Sequence, residues 1–573
     1  MVRLRRSKAL LGMLLALSLV AAACGGDDDD DEGAGEETGT IEVREGGTIT
    51  YPSEQESPGF NNLTTKDNLL ELRHMMGRVW PEAYMALPDL SVEPTPLLDG
   101  PAEVVSEDPF TVEWKIAQEA VWDDGTPFTA DDFEWVYLSC NGKIDPGEPT
   151  AKDEESGEDI TGVDCASSSG YDLVTTFEKP DAKTVRLTFS EIYVEYEGLF
   201  GDPIPPSHIG KAREGGWNTG FDADAGASAG PYKLSEFVRG DHYTLVRNDK
   251  YWGPRPKLDS IIYRVVPDPA THPDTLRNDE TQVIYPQPQV DLVEQINSIP
   301  GVKSDINFGP TWEHLDFNFQ NELLAIKEVR QAIAWGLDRD RYVNTLMKPF
   351  SDQATRLDNR LFMSNQPEYE AHGQEYATRS VEKATAALEE AGFTKGSDGI
   401  YAKGGDKLSF RLRVKSPNPL REQLEQLIQA DLKPVGIDIR IDNFAEPDSI
   451  GSVGSAGDFD LFIFAWVGTP FEVSGAKQEF ESVSASNFGK YNSAEVDAAI
   501  RKAGSTLDED ERVKILNEVD ELLWEDLATI PLFQKPSGML AYSDKYANIK
   551  DNTTSEGPFW NAYEWGLKTA AAQ

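Results

Sequence analysis

Only three cysteines and six histidines occur in 573 residues, and 53 Lys and Arg face 100 Asp and Glu. Each shortage excludes something. A net charge of −47 repels phosphate backbones, which excludes nucleic-acid binding through a basic face. The histidines, His74, His208, His242, His272, His314 and His372, stand far apart without an H-x-x-x-H pair, so no metal site is expected. Neither G-x-G-x-x-G nor G-x-x-x-x-G-K-[ST] occurs, and no cofactor is expected. The longest apolar run, Ala9 to Ala23, falls short of the roughly 20 residues a membrane-spanning helix needs.

With 39% hydrophobic and 10% aromatic residues the composition is globular, and the length allows three or four domains or two large lobes. Arg3, Arg5, Arg6 and Lys8 ahead of the apolar run mark residues 1–23 as a secretory signal. Ala21, Ala22 and Ala23 followed by Cys24 resemble a bacterial lipobox, with Ala21 where Leu, Val or Ile is usual, so that Cys24 becomes a lipidated first residue anchored to the cell membrane. An ordinary A-x-A cleavage site is the alternative. Residues 24–45, with eight acids between positions 27 and 37, read as a disordered acidic tether. Cys140 and Cys165 are expected to pair in an oxidising compartment, closing a loop worth about 3 kcal/mol, with two buried thiols as the alternative.

Two-residue periods at Phe110, Val112, Trp114 and Ile116, at Val185, Leu187 and Phe189, and at Leu408, Phe410, Leu412 and Val414 predict half-buried strands. Helical spacing at Val329, Ile333 and Leu337, at Val381, Ala384 and Leu388, and at Leu420, Leu424, Leu427 and Ile428 predicts helices. Strand 408–414, helix 420–432 and a strand over Ile437, Ile439 and Ile441 predict a β-α-β unit with parallel strands. The apolar run 459–465 predicts a strand covered on both faces, and a long amphipathic helix is expected over 509–527.

The block Val121-Trp122-Asp123-Asp124-Gly125-Thr126-Pro127-Phe128-Thr129-Ala130-Asp131-Asp132, with Thr129 as a helix cap, resembles the W-x-D-G-x-P-F-T-A-x-D segment of the extracytoplasmic solute-binding proteins of ABC importers, the oligopeptide, dipeptide and nickel-binding class called family 5. Gly230-Pro231-Tyr232-Lys233-Leu234, Arg247-Asn248-Asp249-Lys250-Tyr251-Trp252-Gly253, Phe317-Asn318-Phe319, Val329-Arg330-Gln331-Ala332-Ile333, Ala391-Gly392-Phe393, Gly457-Asp458-Phe459-Asp460-Leu461 and Glu495-Val496-Asp497 follow in that family's order. The resemblance implies an α/β, two-lobed clamp of the type II periplasmic-binding-protein kind with an extra domain. Residues 46–75 with 200–300 and 540–573 would form domain I, 76–199 domain II, and 301–539 domain III. It also implies a monomer that takes a peptide or other small molecule in the cleft between lobes and passes it to ABC permease subunits, catalysing nothing.

Residues leaving a strand's carboxyl end point toward the site of an open α/β sheet, which nominates Trp466, with a plain core position as its alternative, and Gly468, Thr469 and Phe471 for the cleft, with Glu54 after the first strand and Asn487 as further candidates. Peptide-binding relatives carry an Asp for the ligand's amine in the stretch where Gly468 and Thr469 stand, so the site reads as suited to an uncharged polar ligand unless Glu54 supplies charge from the other lobe. Two rivals remain. A family member can serve envelope glycolipid or cell-wall assembly without transport. Gly226-Ala227-Ser228-Ala229-Gly230 also satisfies the G-x-S-x-G of serine hydrolases, with Ser228 as nucleophile, although neither a buried strand nor a helix flanks it. Asp222, Asp224 and Gly226 imitate a calcium loop, but Lys233 stands where the closing Glu belongs.

Overall fold

The computed structural model describes residues 41–141, 149–152, 159–161, 163–445 and 448–569. The expected signal, Cys24 and the tether up to residue 40 lie outside them. The end of the expected tether is structured: Val43 and Arg44 pair antiparallel with Lys568 and Leu567. No described helix is long and apolar enough to cross a membrane.

The first lobe carries strands β1 (Thr48–Ser53), β2 (Glu103–Glu107), β3 (Phe110–Lys115), β4 (Val174–Asp181), β5 (Thr184–Phe189), β6 (Tyr232–Val238), β7 (His242–Arg247) and β8 (Ser260–Val265). They form two four-stranded sheets, ordered β2-β3-β5-β4 and β6-β7-β8-β1, and β1 lies parallel to β8 with Ile49 opposite Ile261. The alternation at 110–116 and 185–189 is the reason for the first sheet: Val112, Trp114, Val185 and Leu187 point into one core. Helix α1 (Leu70–Met76) buries Leu72, Met75 and Met76 in that core. Helix α2 (Ala130–Cys140) begins on the expected cap, a reciprocal box in which Thr129 and Asp132 satisfy each other's amides. Cys140, at its end, is disulfide-bonded to Cys165.

The second lobe holds β9 (Val283–Ile284), β10 (Val302–Phe317), β11 (Ser409–Arg413), β12 (Asp438–Ile441), β13 (Leu461–Val467) and β14 (Thr529–Ser543), in one sheet ordered β9-β14-β10-β13-β11-β12. Its helices include α3 (Lys327–Gly336), α4 (Val381–Glu390), α5 (Pro419–Leu432), α6 (Glu472–Phe480) and α7 (Glu509–Asp526). Strand β11, helix α5 and strand β12 form the predicted unit, parallel with Phe410 opposite Ile439. Leu424, Ile428 and Leu432 of α5 and Phe410 and Leu412 of β11 share a second core. Val283 and Leu540 pack into the first-lobe core, whereas Ile284, Met539 and Ala541 beside them face another cluster, so β9 and β14 run along the junction of the lobes.

Candidate functional site

Between the lobes lies a cleft of about 670 Å³. The first lobe contributes the chain just after β1, one face of α1, and segments 197–202 and 553–556. The second contributes Pro310 and Thr311, the loop 467–471 that leaves β13, and Lys535 to Ser537 of β14. Glu54, Gly468, Thr469 and Phe471 therefore sit on its walls. Gly468 is required by a close approach: a β-carbon there would fall 2.9 Å from the Pro310 carbonyl oxygen, which accepts the Gly468 amide at 2.9 Å.

Trp466 and Asn487, expected at the cleft, lie elsewhere. Side chains alternate along a strand, so Val467 projects into the cleft while Trp466 shares a face with Phe464. Its ring lies between those of His314, at 6.2 Å, and Phe488, at 5.9 Å. Asn487 is 4% exposed and closes its own loop, donating to the Tyr491 carbonyl at 2.7 Å and accepting the Tyr491 amide at 3.0 Å.

Helix α1, which the sequence did not single out, contributes Glu71 and Arg73 to a charged lining completed by Glu54, Glu197, Asp202, Glu556 and Lys535. Arg73 pairs with Glu82 at 3.3 Å and with Asp202 and Glu556, and donates to the Gly201 carbonyl. Burial opposes its charge, yet Glu556, Asp202 and Glu82 together hold its pKa above the ordinary arginine value. Arg78 joins the network through Glu82 and Glu556, both at 3.5 Å. Glu71 stands apart. Burial pushes its carboxyl up to about 7 despite a hydrogen bond from Ser53 Oγ at 3.1 Å, and neighbouring Glu54, itself raised by burial, pushes the same way. Neither carboxyl forms an ion pair with a described residue. His74, one turn beyond Glu71, is 3% exposed, and neither ring nitrogen has a hydrogen-bond partner among the described residues. Burial first, then Arg73 and Arg78, lower it to about 3, so the imidazole is neutral. On the opposite wall Lys535 reaches Glu313 at 3.3 Å, a carboxylate shared with Arg421. Burial alone would raise Glu313, but Lys535 and Arg421 outweigh it and hold it low.

The lobes also touch directly. Glu195 of the first lobe accepts the amides of Val473, at 2.8 Å, and Ser474, at 3.1 Å, and the Ser474 hydroxyl, capping the N-terminus of α6. Phe471 packs against Gly198, where a β-carbon would come within 3.1 Å of the ring.

The nucleophile reading of Ser228 fails on geometry. The residue is 1% exposed, its hydroxyl lies at hydrogen-bond distance from the carbonyls of Val79, at 2.7 Å, and Tyr232, at 2.6 Å, and the Asp123 carboxylate nearby accepts its amide, at 2.9 Å, rather than its hydroxyl. The calcium-like loop is likewise engaged internally, Asp222 with Lys66 and Asp224 with Arg213 at 2.6 Å. Among the described residues no group of three or more His, Cys, Asp and Glu could hold a metal ion.

Residues 93–488 match the family model described as bacterial extracellular solute-binding proteins, family 5, middle. The chain is 30% identical over 515 residues to the oligopeptide-binding protein OppA of Mycobacterium tuberculosis, covering 88% of this chain and 83% of that protein. It is 29% identical over 294 residues, 49% of this chain and 43% of the other, to the probable monoacyl phosphatidylinositol tetramannoside-binding protein LpqW of the same organism. Among solved structures, the periplasmic EDTA-binding protein EppA superposes with a TM-score of 0.81 at 27% identity, covering 94% of this chain and all of that one.

Proposed function

The chain belongs to the family 5 bacterial extracellular solute-binding proteins, extracytoplasmic substrate-binding proteins of the ABC-importer type that catalyse no reaction, and from that premise we propose that it is held to the cell membrane by a lipid on Cys24, captures an oligopeptide-sized or other polar solute between its lobes and delivers it to a permease. The observation that carries the reading is the interlobe cleft of about 670 Å³, walled by both lobes. That volume suits a ligand of several residues or sugar units. The domain division set out from the sequence belongs to the same proposal, with closure of the lobes, and the Glu195 contact, as the motion that traps ligand. Mass spectrometry of whatever the native protein carries, beside uptake of that compound by cells with and without the gene, is the test. Uptake lost with the gene supports the reading.

A second reading is favoured by one observation, the match to LpqW over 294 residues. In it the protein binds an envelope glycolipid and transports nothing. A co-purifying mannolipid, with unchanged solute uptake and an altered glycolipid profile in the deletion strain, would decide for it.

A further inference from the structure

We infer that the cleft holds its solute by an aliphatic group seated between Leu70 of the first lobe and Val467 of the second. The inference rests on the reading of the cleft as the ligand site. Leu70 opens helix α1 and is 53% exposed, and Val467 ends β13 and is 72% exposed. Both line the cleft, one from each wall. Single Leu or Val side chains scattered over a surface mean little, but two held open on facing walls of a concave site mark a surface that something apolar covers. A space of about 670 Å³ between two lobes admits a small solute rather than the face of a partner protein.

The lobes themselves do not cover the pair. Their direct contacts are already made: Glu195 accepts the Val473 and Ser474 amides, and Phe471 packs against Gly198. Val467 leads into this docked segment and still stands open, so the space in front of it is left for a group from outside. Val92, Pro470 and Pro536 line the same space and extend its apolar surface. Charge on the walls is mostly matched within the protein, Arg73 by Glu82, Asp202 and Glu556, and Lys535 by Glu313. Beside Leu70, burial holds the Glu71 carboxyl up at about 7, as a poorly hydrated wall does. Apolar burial is non-directional and follows area, so the contact selects an aliphatic group of leucine size or longer and leaves the rest of the solute free to be polar.

A peptide side chain and the alkyl chain of an amphiphile both supply such a group. Calorimetric titration of the full chain with tetraalanine beside Ala-Leu-Leu-Ala, and with methyl maltoside beside octyl maltoside below its micelle concentration, separates the two sources. In at least one pair the aliphatic member is expected to bind about 10-fold or more tightly than the short one. The Leu70→Gln, Val467→Thr double variant, which keeps side-chain volume and removes apolar surface, should lose that margin. Unchanged affinity for the short member, or an unchanged melting temperature, shows that the variant is folded, and Val467→Thr alone, at the more exposed of the two sites, should already reduce the margin. Equal affinity within both pairs, or a margin that both variants keep, would overturn the inference while the cleft reading stands. Failure of every probe to bind would overturn the cleft reading and the inference with it.

Discussion

Glu71 carries a stability consequence that separates binding from folding. Its folded pKa of about 7 lies above its ordinary 4.5, with burial the main cause and Glu54, Ser53 and Tyr51 of the neighbouring strand acting on it. A raised carboxyl contributes stability that is full below the unfolded pKa and lost as pH rises through the folded one. Wild-type stability should therefore fall relative to that of Glu71→Gln as pH rises from 4.5 through 7, by on the order of 1–3 kcal/mol across the window. Chemical denaturation of both proteins across that range checks it, and parallel curves would refute it. At this scale the sequence was legible where a residue's place follows from chain direction: Glu54 and Gly468 leave the carboxyl ends of β1 and β13. It was illegible where strand parity decides. Trp466 and Val467 are neighbours, yet one stacks on Phe488 and the other enters the cleft. Glu71 and His74 gave no signal, because α1 has seven residues and its polar face is defined only by the lobe opposite.

Among the elements, those with strong periodicity were readable. Strand β11, helix α5 and strand β12 fall within a residue or so of their expected bounds because Leu424, Ile428 and Leu432 recur at helical spacing between two alternating runs. Contacts between elements were not readable, and Glu195 with α6 is the clearest case: 278 residues separate Glu195 from Val473. A carboxylate on a helix N-terminus, with charge-assisted hydrogen bonds, is worth about 1–2 kcal/mol in a buried setting. Glu195→Gln should weaken ligand affinity by about 5- to 30-fold, mainly through faster release, because the contact joins the lobes. Stopped-flow dissociation kinetics measures this, and an unchanged off-rate would remove the contact from the closure mechanism. The Cys140–Cys165 bridge ties the end of α2 to a segment away from the cleft. Reduction should lower the melting temperature by a few degrees, from about 3 kcal/mol of loop entropy, and leave affinity intact. Thermal melts and titrations with and without reductant compare the two.

For the whole molecule, the ordered motifs from Trp122 to Asp497 made the family and the two-lobed clamp legible, because they follow one another in the family's order along most of the chain. The electrostatics of the cleft were hidden, because its walls come from segments scattered from Glu54 to Glu556. Export and anchoring are tested at this scale by Cys24→Ser. The variant should appear in the soluble fraction without incorporating labelled palmitate, and unchanged membrane association would end the lipoprotein proposal. The central claim is that both lobes close on one solute. Hydrogen–deuterium exchange of the protein as purified, compared with the same protein unfolded, stripped of ligand and refolded, tests it most directly. Bound solute should slow exchange together in α1 and in residues 467–474, on opposite walls of the cleft. Protection confined to one lobe, or centred away from those segments, would contradict it.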